Sequence, residues 1–201
     1  MKVLKFGGSS VANSENINKV LTIVENASKE TKIAVVVSAF GKTTNHLISA
    51  ANLAVNNDEE YQKVLSEIEN HHLTVIKELV AVSNQSEVIS HVKRLLNHLE
   101  TLLEGCFLLQ ELTPKTLATI CSFGELLSSY IIAKAAKEKG LKASYKDSRN
   151  LILASNHYLN AQVDFKETYK KVSTYFSNAD ERVTVLPGFI AGTIDEKTTT
   201  L

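Results

Sequence analysis

Three stretches carry residues whose types and spacing could do chemistry, and handling of anions and ammonium groups is what they share. The first is Lys5-Phe6-Gly7-Gly8-Ser9-Ser10. Glycines let backbone N–H groups come close to an anion, a helix start behind them adds a favourable dipole, and Lys5 supplies a point charge for phosphate oxygens. The competing reading is a tight strand–helix turn with an exposed lysine, and the pattern is neither G-x-x-x-x-G-K-[ST] nor G-x-G-x-x-G. The second stretch holds a decoy. Gly41-Lys42-Thr43 imitates the end of a P-loop, but the glycine required five positions earlier is Val36. What remains is Ser38-Ala39 at a strand end, then Thr44-Asn45 opening a helix, whose hydroxyls and N–H groups could receive a carboxylate or phosphate. A plain helix cap at Thr43 or Thr44 is the alternative. The third is Ser122-Phe123-Gly124-Glu125 inside a strongly helical stretch, where glycine costs about 1 kcal/mol against alanine. Glu125 has apolar neighbours (Ile120, Phe123, Leu126, Leu127) and should have a cationic or hydrogen-bonding partner there. It could receive a substrate ammonium, with Gly124 leaving room, or be an exposed helix glutamate.

The elements that must position these residues follow from periodicity. Residues 2–6 read as a short buried strand. Ser14 reads as the cap of a helix with Ile17, Val20, Leu21 and Val24 at helical spacing. KIAVVVSAF is a β-branched run suited to a central parallel strand covered on both faces. TTNHLISAANLA follows as a helix, so the start reads as βαβ units of an open α/β sheet. From Asp58 to Gly105 there is no strand signal. Two amphipathic helices, joined by AVSNQS, read as a helical hairpin inserted at about 58–105. Thr113 caps a long helix with Pro114 in its first turn, and Gly140 ends it. LKASYKD reads as a strand, DFKETYKKVSTYF as a helix, and RVTVLPGFIAG as a strand running into a glycine-rich turn. LILASNHYLNAQV is ambiguous, and TIDEKTTTL reads as the edge of another element.

Composition excludes several classes. The chain has 201 residues, 44% of them hydrophobic, and a formal net charge of zero. That suits one domain with a real core and gives no case for a nucleic-acid or membrane partner. No uninterrupted apolar run approaches the ~18 residues of a bilayer span. The N-terminus does not read as a signal peptide, because Lys5 and two glycines break its apolar stretch. Cys106 and Cys121 read as buried free thiols of a cytoplasmic protein. The six histidines, among them the adjacent His71 and His72, read as surface or half-buried helix residues with no metal site.

Taken in order, KFGGSSVAN, VVSAFGKTTNHL, the SFGE glutamate and PGFIAG resemble the aspartokinases of the amino acid kinase family over almost the whole chain. VAN after KFGGSS, TTNHL and NHYLNAQVD are most similar to the N-terminal kinase part of the bifunctional aspartokinase–homoserine dehydrogenases. The resemblance implies a three-layer α/β/α sandwich with a helical insertion. It implies transfer of a phosphoryl group from Mg-ATP to the side-chain carboxylate of L-aspartate, the first step towards lysine, threonine and methionine. By motif match it places Lys5 on the transferring phosphate and Gly7, Gly8 and Ser9 in a phosphate-facing loop, with Ser38 lining that site. Thr44 and Glu125 would hold aspartate, Glu125 facing its ammonium. The full-length enzyme would be a cytoplasmic homo-oligomer, with Mg2+ bound through ATP phosphates and no protein metal ligands.

In the family, further sequence follows the TTTL segment: a glycine- and arginine-containing loop, the nucleotide-binding half and regulatory domains. The expectation is therefore an N-terminal part of a catalytic domain, inactive or nearly so by itself, and prone to self-association through an exposed strand edge. Two other readings stand beside it. One is a related kinase acting on a glutamate derivative or carbamate, against which SFGE and the insertion argue. The other is a non-catalytic module that binds aspartate or a partner subunit.

Overall fold

The computed structural model covers residues 1–201. Four parallel strands, Lys2–Phe6 (β1), Ile33–Val37 (β2), Ala143–Tyr145 (β3) and Val183–Pro187 (β4), form a sheet in the order β1-β2-β4-β3. Lys5 pairs with Val36, and Val36 with Leu186. Alternation then sends Ile33, Val35, Val37, Val183 and Val185 to one face and Ala34 and Leu186 to the other. The first face packs against helices Ser14–Glu30 (α1) and Pro114–Glu138 (α5) in the main core. Helices Thr43–Val55 (α2), Tyr61–Leu79 (α3) and Val82–Leu109 (α4) pack together with α5 on that side. Ala34 and Leu186 meet Leu151 and the apolar stripe of Phe165–Asn178 (α6), namely Val172, Tyr175 and Phe176. Helices on both sides of a parallel sheet make the expected three-layer α/β/α sandwich. After β4 the chain forms an antiparallel pair, Ile190–Gly192 (β5) with Thr198–Thr200 (β6).

Several expectations need correction. The first strand is not buried. β1 is an edge strand, and α6 does not reach over it, so Val3 is 63% exposed. Asn13, not Ser14, caps α1, its side chain accepting the Asn16 N–H. AVSNQS is not a linker: only Val80 and Ala81 separate α3 from α4, and Ser83 to Ser86 already belong to the first turns of α4. The helical pair ends at Leu109, with Gln110 in a left-handed conformation. Helix α5 is long and apolar enough to cross a bilayer, which a count of consecutive apolar residues did not register. Since 83% of its most apolar window is buried, it serves as the central core helix. The ambiguous segment 151–163 is mostly irregular, tied by isolated bridges Leu153–Gly192 and Ala154–Val163. His72 is fully buried, contrary to the surface reading of the histidines. Thr113, Pro114 and Gly140 bound α5 as their chemistry dictates, Gly140 at φ +79°.

Candidate active site

Parallel strands direct their carboxyl ends to one rim, which is where open α/β sheets hold ligands. A cavity of about 500 Å³ opens there, lined by Lys5, Val36, Val37, Ser38, Thr44, Glu125, Gly188, Phe189 and Leu201. Lys5 comes from the end of β1, Ser38 from just past β2, Thr44 from the first turn of α2, and Gly188-Phe189 from just past β4. Glu125 reaches in from the middle of α5. Residues 120 positions apart in sequence thus share one hollow because β1, β2 and β4 are adjacent and α5 lies over them.

Glu125 is 1% exposed. Its Oε1 accepts the Ala39 N–H at 3.2 Å and lies 3.5 Å from the Ser38 hydroxyl, while Oε2 has no partner. Burial pushes its pKa up to about 7, and the Ala39 and Ser38 donors work against that rise. The region is tied down further by the Ser128 hydroxyl, which donates to the Ser38 carbonyl at 2.9 Å. Gly124 permits this approach of helix to strand end. A Cβ there would lie 2.8 Å from the Ala39 Cβ and 3.7 Å from the Thr44 hydroxyl oxygen. So Gly124 leaves room for the Ser38–Thr44 segment, and through it for the cavity wall.

Lys5 is exposed and takes part in none of the ion pairs of the fold. Of the sequence-derived candidates, Lys5, Ser38, Thr44 and Glu125 line the cavity together. Gly7, Gly8 and Ser9 do not form its wall. Gly7 precedes a short 3₁₀ turn, Gly8–Val11, that Gly8 and Ser9 begin, so the loop does not sit directly on the start of α1. Gly8 is needed for packing: a Cβ would come within 3.1 Å of the Ala39 and Gly41 carbonyl oxygens, and the Gly41 N–H donates to the Gly8 carbonyl. Gly7 differs, since a Cβ there would meet nothing within 4 Å. Thr44 does not cap α2; Lys42 occupies the cap position with no side-chain bond, and the Thr43 hydroxyl donates to the Phe40 carbonyl at 2.6 Å. The unmade hydrogen bonds of the first turn of α2 therefore face the same rim.

PGFIAG carries no residue type that marks Phe189 as part of a site. The structure puts Phe189 on the cavity wall at φ +62°, a conformation costly for a bulky residue. The only sequence signal was a Pro-Gly pair closing a strand. Arg149 lies away from this cavity. It pairs with Asp147 at 2.6 Å and donates to Thr198 at 2.9 Å, lining a separate polar hollow with Glu167 and Lys171.

A cavity at the carboxyl rim of a parallel sheet, lined by an unpaired lysine and a buried carboxylate, defines a small-molecule site of α/β type. The family description "Amino acid kinase family" matches residues 1–200, and the chain belongs to that family. It is 30% identical over 201 residues to a bifunctional aspartokinase/homoserine dehydrogenase of Buchnera aphidicola, covering 98% of this chain and 24% of that protein. It is 33% identical to the chloroplastic aspartokinase 1 of Arabidopsis thaliana, covering 94% of this chain and 33% of the relative. The structure superposes on E. coli aspartokinase III in complex with aspartate and ADP with a TM-score of 0.88 at 25% identity, covering 99% of this chain and 43% of that one. The chain thus spans about a quarter of the length of the bifunctional relative and under half of the crystallised one.

Proposed function

We propose that this chain carries the acceptor-binding and phosphate-facing part of an aspartate kinase site. The reaction is transfer of the terminal phosphoryl group of ATP, as its Mg2+ complex, to the side-chain carboxylate of L-aspartate. A carboxylate oxygen forms the new O–P bond as the bond between the γ-phosphorus and the ADP oxygen breaks, giving 4-phospho-L-aspartate and ADP. A carboxylate nucleophile has no proton to lose, so the chain needs no general base. It needs positioning and positive charge on the phosphoryl oxygens.

The observation that carries the reading is a single cavity lined by both the unpaired Lys5 and Glu125, a buried carboxyl group whose Oε2 has no partner. Glu125 receives the substrate ammonium, which would lower its raised pKa and hold it as a carboxylate. Thr44 and the start of α2 receive a substrate carboxylate. Lys5 meets the phosphoryl oxygens, and Gly7, with no heavy atom near its missing side chain, leaves backbone open towards them. Ser38 lies between the two ends. The E. coli aspartokinase III crystallised with aspartate and ADP, and the chloroplastic relative named as an aspartokinase, support this reading.

The test is aspartate-dependent ADP formation with Mg-ATP, by the 201-residue chain and by the chain joined to the segment that follows in a relative, with titration of L-aspartate against each. We expect aspartate to bind both and turnover to require the longer protein. Competition by glutamate or N-acetylglutamate in place of aspartate, or silence of both proteins, would overturn the reading.

A further inference from the structure

His72 is a fully buried titratable side chain outside the cavity wall. Its Nδ1 lies 2.7 Å from the Ile68 carbonyl, an acceptor only, so Nδ1 carries the proton and Nε2 is left without a partner. Burying an unpaired ring nitrogen costs free energy that an apolar ring of the same shape would not. The ring stacks on Phe40, with centroids 5.1 Å apart and planes at 21°, and His71 leans on the same phenylalanine at 6.0 Å. Burial, together with the neighbouring His71, pushes the pKa of His72 down to about 4, so it stacks as a neutral ring.

Phe40 is 0% exposed and is the hub of the loop beside the cavity. Its carbonyl accepts both the N–H and the hydroxyl of Thr43, which starts α2. On one side of it, the Ala39 N–H donates to Glu125. On the other, the Gly41 N–H donates to Gly8 of the Lys5 loop. The Phe40 ring is thus anchored in the segment that carries a donor of Glu125 and the first turn of α2.

We propose that His72, contributed by the helical insertion, is a positioning residue for the acceptor end of the cavity, its ring holding Phe40 and thereby the Ala39 N–H against Glu125. The inference rests on the aspartate reading for its functional meaning and on the packing for its geometry, and the two are tested separately. The Glu125 titration, followed by NMR of 13Cδ-labelled glutamate, reads the geometry. Titration with L-aspartate reads the function. His72→Phe keeps the stack and removes the orphan nitrogen. His72→Leu removes the stack.

We expect His72→Phe to leave the Glu125 titration and aspartate affinity at wild-type values. His72→Leu should raise the Glu125 pKa by about one unit, the size of one lost backbone donor, and weaken aspartate roughly tenfold. Should His72→Leu fail to fold, Phe40→Leu removes the same stack from the other side. A lowered Tm with an unchanged or lowered Glu125 pKa would overturn the proposal and leave His72 a core side chain. A raised Glu125 pKa in a chain whose wild type does not bind aspartate would support the positioning and overturn the aspartate reading alone.

Discussion

At one wall of the cavity, Glu125 stands in the middle of the most buried helix, held by the Ala39 N–H and wedged by the absence of a side chain at Gly124. At the other, Lys5 stands on an edge strand with no ion-pair partner, beside Val3, which is mostly open to solvent. The carboxylate is preorganised by the core, at the cost of a desolvated charge. The ammonium keeps its hydration and is positioned by little more than the β1–β2 ladder. On the proposed reading, a site for a small zwitterion and a polyanion uses both designs: burial would strengthen the contact of Glu125 with the ammonium, and exposure would leave Lys5 free to follow a phosphoryl group.

Lys5→Ala tests the open wall and should have the largest effect. Turnover by the longer protein should fall by at least about 10²-fold, with Tm little changed because the side chain is exposed and outside the ion pairs of the fold. Unchanged turnover would remove Lys5 from the reaction. Glu125→Gln tests the buried wall: aspartate affinity should fall by roughly two orders of magnitude, as titration calorimetry would show, while the fold becomes no less stable.

The same contrast has a pH signature. The folded pKa of Glu125, about 7, lies above the ordinary 4.5, so the folded chain holds this proton more tightly than the unfolded chain does. The stabilisation is complete below about pH 4.5 and is lost as pH rises through 7, amounting to roughly 3 kcal/mol. Wild-type Tm should therefore decline from pH 5 to 8 relative to Glu125→Gln. Parallel profiles would mean that Glu125 is ionised throughout.

Smaller effects separate the glycines. Gly124→Ala should destabilise by about 1–3 kcal/mol in denaturant melts, because its Cβ meets Ala39 at 2.8 Å. Gly7→Ala should change stability by less than about 0.5 kcal/mol, since its Cβ would be in open space, yet weaken ATP binding by the longer protein. A stability loss at Gly7 as large as at Gly124 would erase the distinction between the packed and the open wall.

Much of this was legible in the sequence, for local reasons. Thr113-Pro114 and Gly140 announced the ends of α5, the IAVVV run announced a central strand, and SFGE marked a carboxylate where helix interiors rarely hold one. Phe189 was not legible, because nothing nearby in sequence reports a backbone strain that other elements impose, and the seat of Arg149 away from the cavity depends on its long-range bond to Thr198.

The sequence by itself determined the order and type of most elements and the residue types available at the strand ends, because propensity, capping and periodicity act over a few residues. Only the tertiary structure decided which of them meet. Glu125 finds its donor 86 positions away at Ala39, His72 finds Phe40 across the insertion, and β1 is left at the edge with Val3 exposed. Burial, desolvation and pairing depend on neighbours that the fold supplies and local sequence does not encode.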